Sequence, residues 1–227
     1  MASIEEYTFL SKGAEAEIYL VDFFGLKAVA KKRVSKTYRN PEFDKLFIRN
    51  RTKIEGRVLS ELYVAGLRVP AVYLVDEEHG VILMEYIEGE RLSNIIGKLG
   101  INDVLKISRE IGKFAAQMHN LGIYHGDYTL ANILLNDAGI VVIDFGLSGF
   151  SDDIEEYAID LHLVVRSINA TAPHIADVFV KQMLNEYKIH YVGGAEEVVH
   201  RMREISARGR YIDRELRKSI MREKYVT

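Results

Sequence analysis

The chain has 227 residues, of which 48% are hydrophobic and 28% are charged, a balance typical of a globular protein with a substantial core. It contains no cysteine, which excludes disulfides, thiolate metal sites and a cysteine nucleophile and leaves oxygen or histidine ligands for any metal. No run of 18 uncharged apolar residues occurs, and Glu5 and Glu6 stand where a signal peptide would be basic and then apolar. We therefore expect a cytoplasmic protein without membrane contact.

The net charge of −3 conceals two basic stretches. Residues 27–53 carry ten Lys or Arg against two acidic residues, and residues 201–227 carry nine against four. The rest of the chain is therefore strongly acidic. Such stretches indicate either solvated surfaces or contact with a phosphate-rich partner such as nucleic acid.

The first part of the chain is predicted to be rich in strands. Apolar runs predict strands at about 18–24, 28–34, 72–76 and 81–86, with a helix over about 43–65 between the second and the third. The pattern changes near Glu88, which predicts a first lobe of residues 1–87 and a second lobe of residues 88–227.

Helical periodicity dominates the second part. A helix is predicted to begin at Asn102 or Asp103, and its apolar face comprises Val104, Ile107, Ile111, Phe114 and Met118. Two short strands at 133–135 and 141–143 follow, and then helices at about 160–169, 173–188 and 195–224. A small lobe rich in strands and a larger helical lobe with a short hairpin predict an α+β protein with a two-lobed, protein-kinase-like fold of reduced size.

An acid and an amide, Asp127 and Asn132, stand five residues apart in His-Gly-Asp-Tyr-Thr-Leu-Ala-Asn, between an amphipathic helix and a strand. Twelve residues after Asn132, Asp144 begins the sequence Asp-Phe-Gly. Together these segments resemble the catalytic loop and the DFG motif of protein kinases. The resemblance implies ATP and Mg²⁺, with Asp144 and Asn132 as metal ligands and Asp127 orienting or deprotonating the attacking hydroxyl or water.

The first lobe should supply a lysine for the phosphates and a glutamate that steadies it. Glu55 shares a helix face with apolar residues, where an unpaired carboxylate would be costly, so it needs a cationic partner. Lys31 and Lys32 end a strand and point to opposite faces. We prefer Lys31 as the phosphate-binding lysine, and Lys32 stays the alternative.

Two further segments are candidates for nucleotide contacts. A loop with a single glycine stands where a glycine-rich phosphate loop is expected, and its candidate residues are Gly13, Ala14 and Glu15. Met84, Glu85 and Ile87 form the candidate hinge, in which the backbones of Glu85 and Ile87 would hydrogen-bond adenine.

Taken together, the sequence resembles the PRPK-type kinases of the KEOPS complex in their archaeal form. The resemblance covers essentially the whole chain and depends on residues 31–41, residues 51–55, the His-Gly-Asp loop and the basic tail. It implies an atypical Ser/Thr kinase or ATPase that serves N6-threonylcarbamoylation of adenosine in tRNA. It also implies binding to the complex's sugar-kinase-like catalytic subunit and to a small KEOPS subunit.

Two features indicate an unusual kinase. Gly126 stands where regulated kinases place an arginine that pairs with a phosphorylated activation loop, so control by that ion pair is excluded. The segment 147–159 is short and acidic and lacks Ala-Pro-Glu, so a peptide substrate has little surface to dock on. The phosphoryl acceptor is therefore either a protein hydroxyl or water. Asp160 is either a buried acid that braces the catalytic loop or an ordinary helix N-cap.

The basic residues are candidates for contacts with tRNA phosphates or with a protein partner, on charge alone. These candidates are Lys32, Arg33, Lys36, Arg39, Arg208, Arg210, Arg217, Lys218, Arg222 and Lys224.

Three other classes of protein stay open. A small-molecule phosphotransferase of the aminoglycoside or choline kinase type uses a similar His-Gly-Asp loop, but usually carries a larger helical domain than the 67 residues that follow Asp160 here. A RIO-type kinase is a further alternative. A pseudokinase scaffold is disfavoured because the chain retains all five expected residues, which are Lys31, Glu55, Asp127, Asn132 and Asp144.

Overall fold

The structure is a computed structural model that describes residues 7–13 and 15–208. The chain forms two compact units. Among the described residues, the first contains residues 7–99 together with His125–Phe150, and the second contains Gly100–Tyr124 and residues 151–208. The predicted division into lobes of residues 1–87 and 88–227 stays a prediction.

The first unit contains a five-stranded antiparallel sheet. Its strands are β1 (Tyr7–Lys12), β2 (Ala16–Phe23), β3 (Leu26–Arg33), β4 (Val72–Asp76) and β5 (Val81–Glu85). Their order in the sheet is β1-β2-β3-β5-β4. The four predicted strands are confirmed. Strand β1 was not predicted, because all six of its residues are exposed and it carries no alternation of buried and exposed positions.

The turn between β2 and β3 explains why these strands pair along their whole length. Phe24 and Gly25 both have positive φ, 54° and 81°, as a two-residue type I′ hairpin requires. The register runs from Phe23 opposite Leu26 to Ala16 opposite Arg33.

Helix α1 (Pro41–Val64) follows the third strand and supplies the glutamate of the site. Asn40 caps it by accepting hydrogen bonds from the backbone N–H groups of Glu42 and Phe43, and Pro41 suits the first helical position. Val58, Leu59 and Leu62 are fully or almost fully buried, as the predicted apolar face requires.

A second, three-stranded sheet lies in the same unit and carries the catalytic segments. Its strands are β6 (Glu90–Arg91), β8 (Ile133–Asn136) and β9 (Gly139–Val142), in the order β6-β8-β9. The remaining elements of the first unit are α2 (Leu92–Ile95), the 3₁₀ turns Ile96–Lys98 and Leu130–Asn132, and β10 (Gly149–Phe150). The predicted hairpin is therefore confirmed, and Asp144 follows its second strand by two residues.

The second unit is mainly helical. Its elements are α3 (Ile101–Asn120), β7 (Ile123–Tyr124), α4 (Ile154–Thr171), α5 (Ala176–His190) and a helix over residues 195–208. All five predicted apolar residues of α3 are buried. α3 approaches α5 so closely that a Cβ at Gly112 would overlap the carbonyl oxygen of Met183. No helix in the described ranges is long and apolar enough to span a membrane.

A fully buried histidine lies at the centre of the second unit. The His119 ring stacks on Tyr157 with 4.3 Å between ring centroids, its Nδ1 lies 3.0 Å from the Tyr187 hydroxyl and its Nε2 lies 3.3 Å from the Asp160 carboxylate. Asp160 is buried inside α4, so the N-cap interpretation is wrong, and Asp153 caps that helix instead. Burial lowers the pKa of His119, against the opposing effect of Asp160.

The free energy of unfolding is expected to decrease as the pH is lowered below about 6.5. At such pH values the unfolded chain takes up a proton at His119 that the folded protein does not. One such histidine contributes a slope of up to about 1.4 kcal/mol per pH unit between its folded and unfolded pKa values. Urea unfolding at pH 7.5 and pH 5.5 measures the slope. His119→Gln should lose the part of the slope that His119 contributes, whereas the exposed control His174→Asn should keep that part of the slope. Equal slopes in all three proteins would contradict the assignment.

Candidate active site

The ammonium group of Lys31 is enclosed by two carboxylates. Its Nζ lies 2.6 Å from Oε1 of Glu55 and 2.7 Å from Oδ1 of Asp144. Lys31 is buried near the end of β3, whereas Lys32 is exposed because neighbouring residues of a strand point to opposite faces. Burial opposes the charge of Lys31, but Glu55 and Asp144 outweigh it and hold its pKa above the usual range. The structure thus brings Lys31, and not Lys32, to Glu55.

Asp144 adopts a backbone conformation that is uncommon outside glycine. Its φ is 61°, and its carboxylate accepts hydrogen bonds from Lys31 Nζ and from the backbone N–H of Gly146, the latter at 3.3 Å. Burial opposes ionisation of Asp144, yet Lys31 and the Gly146 N–H together lower its pKa. The carboxylate is therefore ionised at neutral pH and faces the same cavity as Lys31.

The catalytic loop holds its acid and amide against each other. Nδ2 of Asn132 donates to the Asp127 carboxylate at 2.8 Å and to the Asp127 carbonyl at 2.9 Å. The buried His125 accepts from the Asp127 N–H at 3.2 Å and, through Nε2, donates to the Ile143 carbonyl at 3.1 Å. The Ile143 N–H in turn donates to the Asn132 carbonyl at 2.9 Å. These bonds fix the loop relative to the segment that carries Asp144.

The oxygen donors of Asp144 and Asn132 fit a magnesium ion. Because the Asn132 amide nitrogen is used by Asp127, its side-chain oxygen is the atom that can face a metal. No group of three or more His, Asp or Glu side chains suited to a metal occurs within residues 7–13 and 15–208. Mg²⁺ ordinarily keeps only one or two protein ligands and takes water and substrate phosphate oxygens for the others. Two protein oxygen donors are therefore compatible with a magnesium ion that also binds substrate phosphates.

A cavity of about 400 Å³ adjoins these residues, a volume within the usual range of small-molecule pockets. Ile18, Val29, Leu134 and Ile143 line it with apolar side chains, and the segment from Met84 to Ile87 forms one edge. The N–H of Glu85 already donates to the Ala71 carbonyl at 2.8 Å. The group that Glu85 can offer to adenine is therefore its carbonyl oxygen.

The loop between β1 and β2 borders a second cavity of about 400 Å³, which Lys31, Asp127 and Asp144 also line. The Gly13 N–H donates to the Ala16 carbonyl at 2.8 Å and closes the loop. Glu15 accepts from Arg39 at 3.2 Å, so its negative charge is compensated beside the cavity. Ala14 lies outside the described residues.

Three arginines at the site were missed by sequence analysis as site residues. Arg33 binds Oε2 of Glu55 at 2.6 Å, and both Arg33 and Arg51 donate to the carbonyl of Gly146. The sequence spacing could have indicated Arg33 and Arg51. Arg33 is two residues from Lys31 on one strand and Arg51 is four residues from Glu55 on one helix, so each lies on the same face as its neighbour. Arg91 lines both cavities and donates to the Ala131 carbonyl at 2.6 Å. Its two-residue strand has no sequence pattern that could have indicated this.

The predicted tRNA-contacting residues differ in their surroundings. Arg33 is wrong as a tRNA contact, because its side chain is only 4% exposed and is bound to Glu55. Arg39 is a poor candidate, since it forms ion pairs with Glu15 and Asp44 and its guanidinium packs on Phe47. Lys32 and Arg208 are exposed and Lys36 is half-buried. The other predicted contacts lie outside the described residues, namely Arg210, Arg217, Lys218, Arg222 and Lys224.

The fold and this constellation define an atypical protein kinase or ATPase. The family model of the RIO domain matches residues 18–156. The chain is 38% identical to the KEOPS complex subunit Bud32 of Pyrococcus abyssi over 90% of this chain and 96% of the relative. It therefore belongs to the RIO-domain family and, within it, to the Bud32 family. The RIO-type alternative and the KEOPS resemblance thus do not exclude each other.

Two further relatives support this assignment. The chain is 36% identical to a probable serine/threonine-protein kinase BUD32 homolog of Archaeoglobus fulgidus, over 89% of this chain and 95% of the relative. It is 35% identical to a probable bifunctional tRNA threonylcarbamoyladenosine biosynthesis protein of Methanobrevibacter smithii. That match covers 89% of this chain but only 36% of the relative, so the chain corresponds to one part of the bifunctional protein.

Among solved structures, the fold is similar to that of the Rio2 kinase of Chaetomium thermophilum in its ADP/Mg²⁺-phosphoaspartate complex. The TM-score is 0.62 at 17% identity, and the match covers 98% of this chain and 71% of the other. At this identity the likeness concerns the fold alone. The predicted α+β, protein-kinase-like fold is confirmed.

Proposed function

We propose that the protein is a Mg²⁺- and ATP-dependent atypical Ser/Thr kinase or ATPase that acts in the KEOPS complex, in N6-threonylcarbamoyladenosine modification of tRNA. The observation that carries the chemistry is the buried arrangement of Lys31 between Glu55 and Asp144, beside the hydrogen-bonded pair Asn132 and Asp127. The names of the relatives from Pyrococcus abyssi and Methanobrevibacter smithii support the complex and the tRNA process.

The roles of the residues follow from phosphoryl transfer, in which the protein contributes mainly position and charge. Lys31 binds the phosphates of ATP and is itself oriented by Glu55. Asp144 and Asn132 hold Mg²⁺, which when bound neutralises charge on the phosphate oxygens. Asp127, held by Asn132, orients the attacking hydroxyl or water and accepts its proton. The apolar residues of the cavity and the hinge from Met84 to Ile87 would hold the adenine ring.

The environment of the acceptor favours water over a protein hydroxyl. β10 ends at Phe150 and α4 begins at Ile154, so only three residues separate them. This leaves little chain for a peptide-docking segment. We infer that ATP hydrolysis, stimulated by contacts with partners, is the main activity.

The expected partners are the sugar-kinase-like catalytic subunit of KEOPS, a small KEOPS subunit and tRNA. The bifunctional relative supports a protein partner in the same process, because a protein that contains a counterpart of this chain also carries a further, larger part. The exposed Lys32 and Arg208 stay candidates for contacts with tRNA phosphates.

Affinity isolation from the native cell tests the proposed process. We expect the KEOPS subunits to be recovered with the tagged chain. We also expect threonylcarbamoyladenosine to be lost from tRNA when the chain is depleted. The proposal would be contradicted if the tagged chain were recovered without KEOPS subunits and transferred phosphate to an aminoglycoside, a sugar or choline in a substrate screen. That result would favour the small-molecule phosphotransferase.

A further inference from the structure

The carbonyl oxygen of Gly146, which ends the Asp-Phe-Gly segment, accepts hydrogen bonds from two arginines on different elements. Arg51 reaches it from α1 through Nη2. Arg33 reaches it from the end of β3 with 3.4 Å between Nη2 and the oxygen. A single backbone carbonyl is thus bound by two cationic donors, which form stronger hydrogen bonds than neutral ones.

One of these arginines, Arg33, is connected to the phosphate-binding lysine through Glu55. One carboxylate oxygen of Glu55 binds Lys31 and the other binds Arg33, each at 2.6 Å. Nε of the buried Arg33 has no hydrogen-bond partner in the part of the chain that the structure describes. An incompletely satisfied buried guanidinium is costly for stability, so its burial points to a function in the site.

The same segment is confined from the opposite side by the catalytic loop. Gly126 has a φ of 79°, and a Cβ at this position would lie 2.5 Å from the carbonyl oxygen of Leu147. Only glycine therefore lets Leu147 approach the loop so closely. The Gly146 N–H donates to the Asp144 carboxylate, so the position of Gly146 and the orientation of Asp144 are coupled.

We propose that Arg33 and Arg51 are positioning residues that fix the Gly146 backbone and thereby keep the Asp144 carboxylate facing Lys31 and Asn132. In regulated kinases the corresponding segment is ordered when a phosphorylated residue pairs with an arginine. Here the two arginines order it permanently, and no modification is needed. The proposal rests on the proposed function insofar as it concerns the metal ligand Asp144.

Hydrogen exchange of the backbone amides at residues 144–148 in the nucleotide-free protein tests the proposal without any turnover. Arg51→Ala should accelerate exchange at these amides about tenfold, the effect of losing one hydrogen bond from a charged donor. The Mg²⁺ concentration for half-maximal ATP turnover should rise by about the same factor, while the KM for ATP at saturating Mg²⁺ changes less. Arg51→Lys, which keeps one charged donor, should restore part of both effects.

The matched control is Arg49→Ala, which removes a mainly exposed arginine from the same helix and should change neither quantity. Unchanged exchange at 144–148 in Arg51→Ala would overturn the proposal, whatever the activity. Faster exchange spread equally over the whole first unit, in both the alanine and the lysine variant, would also overturn it, because the arginine would then be merely structural. Local acceleration without ATP turnover by the wild type would support the positioning role and contradict the proposed function instead.

Discussion

Asp144→Asn is expected to reduce ATP turnover about 10²- to 10³-fold, as is found when one preorganised electrostatic group is removed from an active site. The substitution preserves the shape of the side chain and the acceptor for the Gly146 N–H, but removes the negative charge that Mg²⁺ requires. Because the asparagine amide does not ionise, no pH in the ordinary working range should restore the variant. Steady-state kinetics with varied Mg²⁺ measure the effect.

Two companion variants separate the metal ligand from the acceptor-orienting acid. Asp127→Asn should also reduce turnover strongly, but without changing the Mg²⁺ concentration for half-maximal rate, since Asp127 is assigned to the attacking group. Asp137→Asn removes the same charge at the exposed turn between β8 and β9 and should match the wild type. Turnover within a factor of about three of the wild type in Asp144→Asn would be incompatible with the assigned role, given the size of effect that a metal ligand should have.

Glu55→Ala is expected to have the largest effect on stability. The substitution leaves the buried Arg33 without its carboxylate partner and leaves Lys31 with Asp144 alone. Removing one partner of a buried ion pair costs about 3–5 kcal/mol because the remaining charge is uncompensated. For a chain of this length that corresponds to a decrease in Tm of roughly 6–20 °C, measured by thermal unfolding.

The matched control on the same helix is Glu61→Ala. Glu61 pairs with Arg57, and both side chains are substantially exposed, at 41% and 66%. Such a surface ion pair contributes about 0–1 kcal/mol, so the control should unfold within about 3 °C of the wild type. Indistinguishable Tm values for the two alanine variants would show that Glu55 does not hold the two cations together. If Glu55→Ala does not fold, Glu55→Gln, which keeps the volume and one acceptor, provides the comparison.

Local sequence pattern predicted the elements that carry the site. The strands from β2 to β5, the helix that carries Glu55 and the hairpin before Asp144 all have clear apolar periodicity. The boundaries were less accurate, because α4 begins at Ile154 and not near Asp160. The helix begins six residues earlier than Asp160 because Asp153 caps it there, and buried residues such as Tyr157 and Ala158 extend its apolar face.

The partners of the charged residues were harder to predict than their positions. The apolar neighbours of Glu55 indicated that it needed a cation, and the structure supplies both Lys31 and Arg33. Charge alone had placed Arg33 among the tRNA contacts, because composition does not distinguish a solvated arginine from one that binds a buried carboxylate. The convergence of Arg51 on Gly146 depends on residues 95 positions apart, which no local pattern reveals.

The measurement that tests the account most directly is ATP turnover by the purified chain with and without Mg²⁺, alone and together with the sugar-kinase-like KEOPS subunit and tRNA. We predict Mg²⁺-dependent release of phosphate that increases when the partner is present and is lost in Asp144→Asn. Turnover equal to that of buffer under every one of these conditions would contradict the account and identify the chain as a partner-binding scaffold that retains the residues of a kinase without their chemistry.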